Sequence, residues 1–385
     1  MKFKNITAIL LCACMLFALT AGCSDPEPGD NDDNGENPLY NYPDNGSGSH
    51  YHGVDFDAAF AAFSPDTVMI EIGNITVTWA ELYVFLYHSI ISLVDMYGTL
   101  PDWSEPLFGD LSAAEVILDI TLEDISMFKT YEYGASITGT ELSDDTVLLL
   151  DENFTSIIEA NGGAEEFARL LWENNGFYSL DLYKNMIEMN YLINAIIDNL
   201  YGENGELISD DALAGYVINE GYMMAKHILR LKTTEEDDTP LDESNEILRL
   251  LNEYDGDDFE GFFDELMHEH NEDLGGMMSY PDGYLFLFQD MVAPFSAACL
   301  ALDPGQFSDV VETEYGYHII LRLPIDYDTI PIADANRGYY RTFRQRVADE
   351  EFNAVVQTWL EDIDIVYTDA FNSLDISKIF VWCDH

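Results

Sequence analysis

Two short stretches, Met224–Leu229 and Tyr315–Ile320, constrain the fold more than any other feature of this chain. In each, a histidine (His227 or His318) directly precedes an apolar run that is typical of a strand. Because neighbouring side chains of a strand point to opposite faces, each histidine can leave the core while the following isoleucine enters it. Either motif alone favours a lone histidine at a strand end. Together, on adjacent strands, they predict two imidazoles on one face of a small sheet.

The charge of the chain limits its partners. Its 385 residues include 15 Lys+Arg against 73 Asp+Glu, which gives a formal net charge of -58. Such a surface repels nucleic-acid phosphates, so a nucleic-acid partner is excluded. Hydrophobic residues make up 48% of the chain and aromatic residues 13%, so large cores are possible. The length is sufficient for two or three domains.

The N-terminus predicts secretion and a membrane anchor. Lys2 and Lys4 precede a short apolar run that ends in Leu-Thr-Ala-Gly-Cys23, and residues 1–22 are typical of a signal peptide. A cysteine after Ala-Gly resembles a bacterial lipobox, although Thr20 stands where an aliphatic residue is more common. We therefore expect lipidated Cys23 on the outer face of the cell membrane. The alternative is an ordinary signal peptide with an incidental cysteine.

Composition and periodicity divide the remaining chain. Residues 23–65 are acidic and rich in Gly, Asn and Pro, which predicts a flexible linker. Residues 66–221 begin with a hairpin pattern and continue as helices, two of which start with capping boxes. Only Cys299 and Cys383 remain for the mature body beyond Cys23, so no disulfide framework is predicted.

Residues 222–326 have the pattern of a compact α+β domain. Strand signals at 222–232, 309–313 and 316–323 surround three helical patterns, which predicts a small antiparallel sheet with helices packed on it. Residues 327–385 return to helix, and Arg337, Arg341, Arg344 and Arg346 make that segment locally basic. We expect it to pack on the acidic N-terminal helices; the alternative is a solvated helix with ordinary charges.

The order of motifs in residues 222–324 resembles a parvulin-type peptidyl-prolyl cis-trans isomerase domain. The motifs are His-Ile-Leu, Met-x-x-x-Phe, Leu-x-x-Gly-x-x-Ser and Val-x-Thr-x-x-Gly-x-His-Ile-Ile. With the lipobox, the helical N-terminal region and the closing helix, the chain is similar to the PrsA-like foldase lipoproteins, with a SurA-like N-terminal chaperone domain. The resemblance implies an α+β parvulin domain inserted in a mostly helical chaperone domain.

The resemblance also implies a set of site residues. The paired imidazoles, a hydroxyl group and a carboxylate form the catalytic set: His227, His318, Thr313 and Asp273. The proline pocket is formed by Met291 and Phe295, which we expect one helical turn apart, and by Leu285 from an extended segment. Asp273 has two alternatives, because it either lies near the substrate carbonyl or is the structural Asp of an Asp-Leu-Gly turn. Rotation about an X-Pro bond requires no metal or cofactor.

These features imply an extracytoplasmic foldase that binds unfolded secreted proteins and isomerises their X-Pro bonds. The main alternative is a holdase lipoprotein without catalysis, in which the parvulin domain is degenerate. A third class, the substrate-binding lipoproteins of transporters, requires two α/β lobes with repeated strand-helix units, and the pattern of this chain does not contain them.

Overall fold

The computed structural model describes residues 54–232, 234 and 238–381. These residues form two compact units, the first from residues 54–199 and 353–381, the second from residues 200–352. The predicted signal peptide, Cys23, most of the predicted linker and Cys383 lie outside the described residues. The domain boundaries predicted at 66, 222 and 326 remain predictions.

The first unit is mostly helical and contains two small sheets. Its elements, in chain order, are α1 (Phe56–Phe60), β1 (Val68–Ile72), β2 (Ile75–Thr78), α2 (Trp79–Tyr97), β3 (Pro106–Phe108), β4 (Leu111–Ser112), α3 (Ala113–Thr138), α4 (Asp144–Ala160), α5 (Ala164–Asn175) and α6 (Leu180–Tyr201). The helix α13 (Phe343–Asp362) enters this unit with its second half and is followed by β9 (Ile365–Tyr367), α14 (Asp369–Asn372) and α15 (Ile376–Ile379).

The C-terminal segment is part of the fold of the first unit. β9 pairs antiparallel with β1, so the sheet order is β2-β1-β9. Both predicted capping boxes are present, at the starts of α2 and α3. A Cβ atom at Gly134 of α3 would lie 2.1 Å from the ring of Trp359, so this close packing requires the glycine.

Several residues before the predicted linker boundary at residue 65 belong to the fold of the first unit. Val54, Phe56 and Phe60 are buried, and the Phe56 ring packs 6.0 Å from that of Phe380, between ring centroids. Asp55 caps α1 by accepting a hydrogen bond from the Ala58 N–H. The linker prediction is therefore wrong for residues 56–60, because their aromatic side chains supply enough apolar area to join the core.

The second unit contains the larger sheet. Its elements are the end of α6, α7 (Asp210–Glu220), β5 (Met223–Leu231), α8 (Thr239–Glu253), α9 (Phe259–His270), α10 (Leu274–Ser279), β6 (Tyr284–Phe286), α11 (Ala293–Leu300), β7 (Val311–Glu312), β8 (Gly316–Leu323), α12 (Ile332–Asn336) and the first half of α13. The sheet has the order β6-β5-β8-β7, and every pair is antiparallel. The predicted α+β class with a small antiparallel sheet is confirmed.

The sheet has two different faces. The helix face, made by Met224, Ile228, Ile319 and Leu321, packs against α8, α9 and the start of α13. The site face, made by Met223, Ala225, His227, His318 and Ile320, packs against α11, Phe286 and Ile332. Within the described residues, no helix combines the length and the apolarity that a membrane span requires.

The arginines of the C-terminal segment have acidic partners within the second unit. Arg346 lies 3.1 Å from Asp334, Arg344 lies 3.3 Å from Asp328, and Arg341 pairs with Asp349. These acidic partners are close in sequence, so the local charges satisfy one another.

Candidate active site

The two histidines meet because of the register of β5 and β8. His227 pairs with Ile320 and His318 pairs with Leu229, so the two imidazoles are diagonal neighbours on the site face. Their Nδ1 atoms lie 3.0 Å apart, and their rings are nearly parallel at 24°. His227 is 7% exposed and His318 is 3% exposed. The expectation that each histidine leaves the core is therefore wrong, since the site face has an apolar core of its own.

The backbone at position 316, two residues before His318, requires a glycine. Its φ of +145° lies in a region that favours glycine, and a Cβ atom there would lie 2.1 Å from the Arg230 carbonyl oxygen. The close approach allows β8 to start directly opposite the end of β5. The glycine thus helps to set the register that brings the histidines together.

A chain of hydrogen bonds connects four of the predicted site residues. Asp273 Oδ2 lies 3.0 Å from His227 Nε2, and Thr313 Oγ1 lies 2.8 Å from His318 Nε2. Together with the contact between the imidazoles, these bonds form a continuous path from Asp273 through His227 and His318 to Thr313. The structure therefore brings His227, His318, Asp273 and Thr313 to one site.

The carboxylate fixes the direction of the first bond, and with one hydrogen on each imidazole the other bonds follow. An ionised Asp273 only accepts, so His227 Nε2 donates, and with a single ring hydrogen the His227 Nδ1 accepts. His318 Nδ1 must then donate, its Nε2 accepts, and the Thr313 hydroxyl donates to it. All four ring nitrogens are occupied in this arrangement.

The charge states agree with that direction. The hydrogen bond from His227 lowers the pKa of Asp273 well below its usual range, with help from the Tyr284 hydroxyl and the Gly276 N–H, although burial opposes the shift. Burial, followed by the proximity of His227, lowers the pKa of His318 to about 3. At neutral pH the site therefore holds a carboxylate and a neutral His318.

Asp273 combines the two roles that the sequence left as alternatives. Its Oδ1 caps α10 by accepting the Gly276 N–H at 2.9 Å, which is the structural role. Its Oδ2 contacts His227, which places the same carboxylate at the site. One oxygen holds the turn while the other enters the hydrogen-bond chain.

Phe295 forms the apolar wall beside the imidazoles. Its ring centroid lies 5.3 Å from that of His227 and 5.6 Å from that of His318, in edge-on arrangements. Met291 packs against the same cluster, but α11 begins at Ala293. The expected helical turn between Met291 and Phe295 is therefore wrong, because Val292 is extended and caps the helix. The two side chains still share one apolar region.

Leu285 does not lie at the site. It is fully buried in the helix-face core, whereas its neighbours Tyr284 and Phe286 point to the site face. The Phe286 ring lies 5.8 Å from that of Phe295, between centroids. The prediction for Leu285 failed because β6 is a strand, in which alternate residues face opposite sides.

Two residues at the site were missed by the sequence analysis. Tyr284 donates its hydroxyl to Asp273 Oδ2 at 2.6 Å. Asn271 is buried and accepts the Leu229 N–H at 2.8 Å, which ties β5 to the segment that carries Asp273. For Tyr284, the available signal was the period of two from Phe286; Asn271 gave no signal in the sequence. Among the described residues, no group of three or more His, Cys, Asp or Glu side chains is arranged to hold a metal ion.

Comparisons with known proteins identify the domain. Residues 227–323 match the Rotamase family, described as the PPIC-type PPIASE domain. The foldase protein PrsA of Oceanobacillus iheyensis is 25% identical over 205 residues, which cover 52% of this chain and 58% of that protein. The chaperone SurA of Methylococcus capsulatus is 34% identical over 125 residues, which cover 32% of this chain and 25% of that protein.

Among solved structures, PrsA of Bacillus subtilis is 18% identical, with a TM-score of 0.25 over 70% of this chain and 90% of that one. The chain matches 58% of the length of the PrsA relative and 25% of that of the SurA relative, less than two thirds of either. The family match covers nearly the whole of the region in which the sequence motifs lie. Residues 227–323 therefore match the PPIC-type PPIase domain family, and about half of the chain is similar to the PrsA foldases.

Proposed function

We propose that this chain is an extracytoplasmic foldase, which isomerises X-Pro bonds in unfolded secreted proteins and is held at the membrane by a lipid on Cys23. The main support for catalysis is the hydrogen-bond chain from Asp273 to Thr313 beside the Phe295 wall. The catalytic roles of His227, His318, Asp273 and Thr313, and the proline-binding roles of Met291 and Phe295, belong to this proposal.

The reaction requires a particular environment. An X-Pro bond rotates over a barrier of about 18–20 kcal/mol, because the planar amide is stabilised by resonance. In the twisted transition state that resonance is lost, and the carbonyl oxygen carries less negative charge. A catalyst can therefore act by binding the twisted, less polar amide more tightly than the planar one.

The candidate site has suitable groups for that task. The partly buried Met291 and the Phe295 ring offer an apolar wall for a proline ring, and the fully buried Phe286 packs against Phe295. The ring nitrogens of His227 and His318 are all engaged within the site, so neither imidazole has a free position for proton transfer. We infer that the imidazoles act as a fixed wall, and that no covalent or acid–base step is involved.

A protease-coupled assay with proline tetrapeptides, on the full chain, tests the catalytic proposal. The wild type should accelerate cis-to-trans conversion, and His227→Ala/His318→Ala should lose most of that activity. His268→Ala/His270→Ala is the matched control, because it removes two histidines from α9 outside the site. Equal inactivity of the wild type and the site variant would contradict an isomerase function.

A holdase without catalysis is the second candidate. It is supported by large apolar side chains exposed in the first unit, among them Met96 at 73% and Leu148 at 58%. Such side chains can bind apolar segments of unfolded proteins. If the chain suppresses aggregation of an unfolded client but leaves the tetrapeptide unchanged, this candidate is favoured.

The anchor is supported by the sequence around Cys23 alone. Cys23→Ala should prevent lipidation and release the protein from the membrane fraction into the medium. Cys299→Ala is the matched control, because Cys299 is buried in the second unit. Membrane retention of the Cys23→Ala protein would contradict the anchor.

A further inference from the structure

The phenol of Tyr284 donates a further hydrogen bond to the Asp273 carboxylate. Its hydroxyl donates to Oδ2 at 2.6 Å, and the same oxygen accepts from His227 Nε2 at 3.0 Å. The other oxygen, Oδ1, accepts the Gly276 N–H at 2.9 Å. Both carboxylate oxygens are thus occupied, and the group is fixed in rotation.

The Tyr284 ring also contacts the first imidazole. It stands edge-on to the His227 ring at 88°, with a centroid distance of 5.6 Å. On its other side, the Tyr280 ring lies 4.9 Å away. The Tyr284 phenol therefore contacts both Asp273 and His227, whereas Tyr280 contacts only the Tyr284 ring, a contact that Tyr280→Phe retains.

Of the two glycines of α10, only Gly276 lies against this phenol. A Cβ atom on Gly276 would lie 1.7 Å from the Tyr284 hydroxyl oxygen and 2.3 Å from Asp273 Oδ2. At the adjacent Gly275, the nearest atom to such a Cβ would be 4.0 Å away. Since Gly276 has ordinary helical backbone, its lack of a side chain serves the contact between Tyr284 and Asp273.

The orientation of Asp273 decides the tautomers of both histidines. While Oδ2 faces His227, that nitrogen must carry the hydrogen, and the remaining bonds to Thr313 follow in one direction. The Asp273 side chain is 27% exposed, so without the phenol it can turn toward water. His227 would then be free to adopt either tautomer.

We propose that Tyr284 is a positioning residue of the isomerase site, which holds Asp273 so that the His227 and His318 tautomers are fixed. The proposal rests on the proposed isomerase function for its catalytic consequence. A hydrogen bond to a charged group is among the stronger ones in proteins, so its loss should populate the second tautomer measurably.

The experiment compares Tyr284→Phe with Tyr280→Phe in the full chain, labelled with ¹⁵N-histidine. In the wild type, the imidazole shifts should report one tautomer for each site histidine, with hydrogen on His227 Nε2 and on His318 Nδ1. Tyr284→Phe should produce a mixture of tautomers and lower kcat about tenfold, with KM nearly unchanged. Tyr280→Phe should preserve the wild-type tautomers and kcat.

A second pair of variants is the positive control for displacement of the carboxylate. Gly276→Ala should displace the phenol and the Asp273 carboxylate together and produce mixed tautomers, whereas Gly275→Ala should not, although both substitutions favour the helix. Unchanged tautomers in Tyr284→Phe would overturn the proposal. If the wild type is inactive but its tautomers still depend on Tyr284, the positioning role stands and the isomerase function fails.

Discussion

The two faces of the β6-β5-β8-β7 sheet are built from alternate residues of the same strands, but they bury different kinds of side chain. The helix face is apolar apart from two cations, Lys226 and Arg230, and the Lys226 ammonium reaches Glu260 and Asp264 at the partly exposed side of α9. The site face buries two imidazoles, and each of their nitrogens has a partner. A buried polar group is tolerated only when it is hydrogen-bonded, so the site face depends on a complete network and the helix face on packing.

The largest expected effect is on the helix face. Ile319→Ala should lower the free energy of unfolding of the second unit by about 2–5 kcal/mol, because Ile319 is fully buried between the sheet and its helices. Hydrogen exchange of the β8 amides measures this loss, since the described tryptophans lie in the first unit and do not report on the second. Ile218→Ala is the control, because Ile218 is 78% exposed, and an equal loss there would contradict the assignment of the core.

Lowering the pH should reduce the stability that the site face contributes to the second unit. The folded protein lowers the pKa of His318 from 6.5 to about 3, chiefly by burial, so between these values the unfolded state binds a proton that the native state does not. Stability contributed by neutral His318 is therefore complete above pH 6.5 and is lost as the pH falls toward 3, by up to about 1.4 kcal/mol per pH unit. The pKa of Asp273 is also lowered, which adds a loss in the same direction below about pH 4.

The difference between the wild type and His318→Gln isolates this contribution from the other acidic groups of the chain. Urea unfolding of the second unit at pH 7 and pH 5, followed by hydrogen exchange of β8, should show a steeper decline in the wild type. Equal declines in the two proteins would mean that His318 takes up its proton without cost in the folded state.

A smaller effect is expected when the charge of the site face is removed. Asp273→Asn should lower kcat/KM about tenfold, which corresponds to about 1.4 kcal/mol of transition-state stabilisation, because a neutral amide no longer forces His227 Nε2 to donate. The cap on α10 should persist, since the asparagine oxygen can accept the Gly276 N–H. Asp282→Asn, an exposed position of the neighbouring turn, is the control. Full activity of Asp273→Asn would remove the carboxylate from the proposed mechanism.

The smallest effect should come from the buried lysine of the helix face. Lys226→Met should change the free energy of unfolding by no more than about 1 kcal/mol, because the methionine can pack in place of the aliphatic stem and the carboxylates can turn to water. Hydrogen exchange of β5 provides the measurement. A loss as large as that of Ile319→Ala would mean that both faces depend on their polar contacts.

The strands and the paired histidines could be predicted from the sequence because their signals are local. Strands at 222–232 and 316–323 follow from alternation, and the observed β5 and β8 agree within a residue. His318, which contacts His227, is 91 residues away in the sequence. The pairing of the two histidines was therefore inferred from the two motifs together. The capping boxes at α2 and α3 were equally local.

The remaining parts could not be predicted because they depend on tertiary contacts. Leu285 and Tyr284 are adjacent, and only the pairing of β6 with β5 decides which of them faces the site. Phe56 and Phe60 lie in a polar, acidic stretch, and their burial depends on partners far along the chain, such as Phe380. The double role of Asp273 requires the folded positions of Gly276, His227 and Tyr284.

The start of α13 has a consequence for the modularity of the domain. Phe343 lies fully buried in the helix-face core, with its ring centroid 5.0 Å from that of Tyr222. It comes 20 residues after the last residue of the family match at 323. A fragment cut at the conventional end of the domain would leave an apolar cavity where this ring was, so the transferable module of this protein extends to about residue 352.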